Sequence, residues 1–82
     1  MKRMNAVLYK GYEIHPTPYQ LRDSGEWTIS IEIWLHTGSE LRTRNFSAAN
    51  TFKTKDEAIQ HCINFGKQII DGKLENLTVI DL

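Results

Sequence analysis

Trp27-Thr28-Ile29-Ser30-Ile31-Glu32-Ile33-Trp34-Leu35 alternates apolar and polar residues almost without interruption. Side chains of a β-strand point to opposite faces with period 2. Trp27, Ile29, Ile31, Ile33 and Leu35 therefore define a dry face, and Thr28, Ser30, Glu32 and Trp34 a wet one. Something must cover the first, and the second is open to a partner.

Outward from this strand, turn chemistry sets the neighbours. Upstream, Asp23-Ser24-Gly25 is a reversal signal, and Tyr12 to Tyr19 forms the preceding strand. Tyr12, Ile14 and Pro16 lie on one side of it, and Glu13, His15, Thr17 and Tyr19 on the other. Pro16 and Pro18 cannot donate ladder hydrogen bonds, so this strand belongs at a sheet edge or ends its pairing early. Ala6 to Tyr9 fits a short additional N-terminal strand, joined by a tight turn or bulge at Lys10-Gly11. Downstream, Thr37-Gly38 turns the chain into a strand over Glu40 to Phe46, with Leu41 and Thr43 on one side and Glu40, Arg42 and Arg44 on the other. A bulge near Asn45 would return Phe46 to the core. Ser47 to Lys53 reads as a loop.

Thr54-Lys55-Asp56-Glu57 is a capping box with acidic residues suited to the helix dipole. Beyond it, Ala58, Ile59, Cys62, Ile63, Phe65, Gly66, Ile69 and Ile70 share an arc of about 160°. The spacing predicts a helix over about residues 55–71, closed by Gly72. Its apolar stripe matches the dry face of the Trp27 strand. The fold class is α+β: a three-stranded antiparallel sheet, with the extra short N-terminal strand optional, packed on one C-terminal helix. The 82 residues make a single domain. Residues 1–5 are expected to be frayed. Residues 74–82 form an apolar tail that folds over the core edge, adds a strand or pairs with a second subunit.

Composition narrows the function. Ten basic and ten acidic residues cancel, which weighs against a dedicated nucleic-acid binder. A lone cysteine excludes an internal disulfide and any CxxC site. No run approaches the roughly 20 apolar residues of a membrane span, and the N-terminus has no signal-peptide pattern, so a cytoplasmic protein with no membrane association is expected. His15, His36 and His61 show no metal-ligand spacing. Cys62 sits mid-face on the helix as a small hydrophobe, and no nucleophile or phosphate-loop pattern is present. No enzyme, metal or cofactor is expected.

The wet face supplies the candidate binding residues: Trp34, Arg42, Arg44, His15, Tyr19 and Glu32. A large aromatic on a polar face is a common anchor. Trp34 is either that or a residue covered by the tail, by Tyr19 or by a second copy of the chain. Arg42 and Arg44 are placed to grip an anion or to pair across strands with Glu32 or Glu13, and the pairing is the favoured arrangement.

Gly25-x-Trp27, the alternating strand, the tight turn, the basic strand and Phe52-x-Thr54-x-x-Glu57-Ala58 together resemble the three-strand-plus-helix DNA readers. These are the GCC-box-binding domain of plant ethylene-response factors and the arm-binding domain of tyrosine recombinases. The resemblance implies a sheet face entering the major groove, with Trp34, Arg42 and Arg44 at the matching positions. Tyr9-Lys10-Gly11-Tyr12-Glu13-Ile14 and Ile70-Asp71-Gly72 are similar to short bacterial proteins of β-β-β-α architecture, which implies the fold and no activity. The leading expectation is a non-catalytic interaction module, a homodimer in one form, using the wet face around Trp34 or the apolar tail. The alternative is a nucleic-acid-binding domain that reads DNA or RNA with that face.

Overall fold

A computed structural model describes residues 6–79. The chain forms β1 (Val7–Tyr9), β2 (Tyr12–Pro16), β3 (Trp27–Thr37), β4 (Glu40–Phe52) and α1 (Lys55–Ile70). The optional N-terminal strand is real, so the sheet has four antiparallel strands in the order β1-β2-β3-β4. The expected fraying of residues 1–5 and the end of the tail, 80–82, lie outside the described residues.

Two tight turns fix the outer hairpins. Tyr9 pairs with Tyr12 across Lys10-Gly11, and both turn residues take positive φ, 52° and 87°. That is the backbone of a two-residue turn matched to the strand twist. Thr37 pairs with Glu40 across Gly38-Ser39, with Gly38 at φ 60°. The longer connection from residue 17 to 26 is tied back to β3 by Thr17 N–H to Ser30 O (2.8 Å) and Thr28 N–H to Tyr19 O (3.0 Å).

One strand expectation is resolved and one corrected. β2 is interior, between β1 and β3, and it ends its pairing early, at Pro16. Its prolines are tolerated because β1 pairs only with residues 12–14, and Pro16, the last strand residue, faces β3 alone. β4 does not end at Phe46 but continues to Phe52 through the segment expected as a loop. The irregularity is not at Asn45. Ile29 pairs with Ala48 and Thr28 with Thr51, so one step on β3 spans three on β4 and Ala49 and Asn50 are extra. Inserted residues of this kind locally bend a strand.

The core is the dry face plus the helix stripe. Ile14, Ile29, Ile31, Ile33 and Phe46 from the sheet meet Ala58, Cys62 and Ile69 from α1, all buried. Thr54 caps the helix, its Oγ1 accepting from Glu57 N–H at 3.1 Å. The other end closes as a Schellman motif: Lys73 N–H donates to Gln68 O and Gly72 N–H to Ile69 O, with Gly72 at φ 75°. Gly66 lets the helix approach β2 closely, since a Cβ there would sit 2.7 Å from Ile14 Cγ2. Outside the core, Asp71 accepts from Tyr9 Oη (2.8 Å) and pairs with Lys10 Nζ (2.6 Å), tying the helix end to the first hairpin.

The helix lies mainly over β2 and β3. The tail is part of the core: Val79 is buried, and Leu74 and Leu77 pack against the same cluster. These side chains are used within the chain instead of being displayed to a second subunit. Among the described residues, no helix is long and apolar enough to cross a membrane.

Candidate functional site

Residues paired across an antiparallel ladder share a face, so the register sorts the candidates. Leu8, Glu13, Trp34 and Thr43 form one row across all four strands of the outer face. His15, Glu32 and Asn45 form the next, and His36 and Leu41 lie closer to the β3–β4 turn.

Around Trp34 these rows build one aromatic and acidic cluster. His15 stacks on the indole with ring centroids 3.9 Å apart and planes 24° from parallel. This is a diagonal cross-strand contact within reach of large rings. The edge of His36 meets the same indole at 6.5 Å. Trp34 Nε1–H donates to Glu32 Oε1 at 2.8 Å. Glu13 spans both imidazoles, with Oε1 2.9 Å from His15 Nε2 and Oε2 3.1 Å from His36 Nε2. The hydrogen bond to His15, then the charge of His36, hold the Glu13 carboxyl below its ordinary pKa against an opposing contribution from burial. Among the described residues, what covers Trp34 is therefore His15, and neither residues 74–79 of the tail nor Tyr19. Among the strand residues described, no lysine or arginine shares this face.

Tyr19 is exposed and joins the sheet beside Thr28, its amide donating to Thr28 Oγ1 at 3.1 Å. Thr28 is six strand positions from Trp34, about 20 Å at the strand rise. Tyr19 is thus not part of the cluster. It borders an open hollow of about 360 Å³ whose polar lining is Thr28, Ser30, Asn45 and Ser47. These uncharged hydroxyls and amides supply no general acid or base.

Arg42 and Arg44 are also not in the cluster. They pair with Leu35 and Ile33, which places them on the helix side of the sheet. With no bulge at Asn45, Arg42 and Arg44 keep the parity of Phe46, a core residue. Their expected partners Glu32 and Glu13 are on the opposite face. Instead Arg42 Nε lies 3.3 Å from Glu40 Oε1, and Arg44 Nη1–H donates to Thr78 O at 3.4 Å. They stand where β4 extends past the main cover of the helix, so the charges reach solvent at the sheet edge. Strict alternation counted back from Phe46 is the signal that locates them.

The remaining reactive side chains have structural roles. Cys62 is fully buried, its Sγ–H directed at Ser30 O at 3.4 Å, and burial pushes the thiol's pKa up, which removes the thiolate that a nucleophile needs. His61 stacks on Phe52 with centroids 4.1 Å apart. Among the described residues no group of three or more His, Cys, Asp or Glu side chains is arranged to hold a metal ion.

A family model described as transcriptional activator HlyU matches residues 1–77 of the chain. No curated protein and no solved structure matches it. The match spans nearly the whole chain, and the protein belongs to the HlyU family of transcriptional activators. This corrects the leading reading of the chain as an interaction module using the wet face around Trp34 or the apolar tail. It favours the alternative, because activating transcription implies binding DNA.

Proposed function

We propose that this member of the HlyU family binds duplex DNA with the outer end of the β3–β4 hairpin, and that Arg42 and Arg44 supply its phosphate contacts. Beyond the family, the observation that carries the proposal is this pair of arginines on an edge strand, next to a tight turn. A two-stranded antiparallel ribbon is of a size that the major groove, about 12 Å wide, admits. Among the described residues no strand pairs with the outer edge of β4, which leaves room for the duplex to approach. Arg42 and Arg44 alternate along β4 and present two cations on one line, while the net charge of zero keeps any attraction local to this edge.

Trp34 sits on the other side of the same hairpin end. With His15 behind it and Glu32 fixing its indole, it is a rigid aromatic surface for a sugar or base edge. Glu13 and Glu32 repel phosphate, which favours an orientation with the backbone on the arginine side. Tyr19 falls outside this footprint.

The test is fluorescence anisotropy on a labelled random-sequence duplex over a salt series. Binding should weaken with salt, and the slope of log K against log salt changes by about 0.9 for each phosphate that the protein no longer neutralises. An R42A/R44A double variant should therefore reduce the slope by roughly 1.8. An unchanged slope moves the interface elsewhere, and no binding at low salt removes the DNA-binding reading.

A further inference from the structure

We propose that DNA binding by this protein is gated by protons, through His15 and His36 sharing the Glu13 carboxylate beside Trp34. The proposal rests on the DNA-binding reading above and concerns the regulation of that same hairpin end.

Among the described residues, the titratable groups facing this cluster come from two strands. β2 supplies Glu13 and His15, and β3 supplies Glu32 and His36. β1 contributes Leu8 and β4 contributes Leu41, Thr43 and Asn45, none of which titrates. With neutral imidazoles the cluster carries two carboxylates and a formal charge of −2. With both imidazoles protonated the formal charge is zero, because two positive charges are added.

Geometry makes both states acceptable to the fold. Each imidazole presents Nε2 to a different oxygen of Glu13, at 2.9 and 3.1 Å, so either can donate when neutral and form an ion pair when charged. His15 lies flat on Trp34 at 3.9 Å, where an imidazolium adds a cation–π attraction. The cluster is also close enough to matter. Thr43, the partner of Trp34 in the ladder, lies between Arg42 and Arg44 in the chain. Glu32 and His36 are one strand from β4 and Glu13 and His15 two, about 5 and 10 Å across the sheet, with the arginines on its other side, so a phosphate held by either arginine is on the order of 10–15 Å from the cluster, at least one Debye length at 0.1 M salt. At low ionic strength, where screening is slight, neutralising two negative charges at that range tightens binding by about twofold to fourfold, and at 0.1 M salt by less than twofold.

The experiment measures anisotropy of the same duplex at pH 7.5, 6.5 and 5.5 and constant low ionic strength, for the native chain, an H15Q/H36Q double variant and an H61Q control. Alongside it, NMR follows the imidazole Cε1–H and Trp34 Nε1–H resonances of the native chain through the same range. The expected result is about twofold to fourfold tighter native binding at pH 5.5, unchanged in H61Q and absent in H15Q/H36Q, with the Trp34 resonance moving together with the histidine resonances. Native binding that does not vary with pH overturns the gate alone. So does a double variant that keeps the pH dependence, or a Trp34 resonance that ignores the histidines. Absence of DNA binding at every pH overturns the DNA-binding reading and the gate with it.

Discussion

Replacing Gly66 with alanine should destabilise this protein, although alanine is the better helix former. A Cβ at position 66 would lie 2.7 Å from Ile14 Cγ2 and 3.0 Å from both Cδ1 and Cγ1. Carbon atoms at their optimal separation sit about 3.5–4.0 Å apart. Ile14 cannot retreat easily, because it is wholly buried and its backbone is paired on both sides, to Val7 and Ile33. Inserting a methyl into such a site costs about 1–3 kcal/mol. Alanine recovers about 1 kcal/mol of helix propensity, so the net loss is about 0–2 kcal/mol and the midpoint of thermal unfolding falls by up to roughly 15 °C. In an I14A background the sign reverses. That substitution alone costs about 2–5 kcal/mol, but it opens the space that the new methyl fills, and G66A should then stabilise by about 0.5–1 kcal/mol. Urea titrations followed by circular dichroism of the four proteins close the cycle. An equal effect of G66A in both backgrounds, or a native chain made more stable by it, refutes close approach of α1 to β2.

Three further outcomes follow from the cap, the thiol and the helix-end clamp. T54A should lower stability by about 1 kcal/mol through loss of the N-cap, while T54S should be nearly neutral; chemical denaturation checks both. Cys62 should react with a thiol reagent at pH 8 only as fast as the protein opens, and at the rate of a free thiol in concentrated guanidinium; an immediate native reaction contradicts its burial. The hydrogen bonds from Lys10 and Tyr9 hold the Asp71 carboxyl below its ordinary pKa, so its contribution is complete above the unfolded value of about 3.9 and is lost as pH falls through the lower folded one. The stability gap between the native chain and D71N should be constant from pH 7 to 5 and narrow below about pH 4, as measured by urea midpoints at each pH.

Much of the fold is legible in the sequence because local rules agree with one another. The capping box, the 3.6-residue stripe and Gly72 give α1 within a residue at either end, and the two-residue turns set the outer hairpins. What stays hidden depends on distant parts of the chain. The ten-residue connection between β2 and β3 fixes no register, so nothing in the sequence shows that Glu13 faces Trp34 or that His15 stacks on it. The extra residues Ala49 and Asn50 break alternation in the second half of β4, which then resembles a loop. Arg42 and Arg44 read as wet-face residues because a charged residue at a core parity looks like an error of phase. They are allowed there because helix cover thins out before that end of the sheet.

The sheet's neighbour order is also its chain order. Every strand pairs with one already made or next to be made, and such sequential pairing keeps loop-closure costs small and folding fast. The cover does not share that advantage. Ile14, Ile31 and Ile33 wait for α1 and for Leu74, Leu77 and Val79, all of which come after the last strand. At ribosomal rates of about 5–20 residues per second, the chain beyond Phe52 takes on the order of 1–5 s to appear. For that interval a completed meander would present a bare aliphatic face and an unpaired β4 edge, so the hazard for this protein lies in the timing of its synthesis more than in its finished surface.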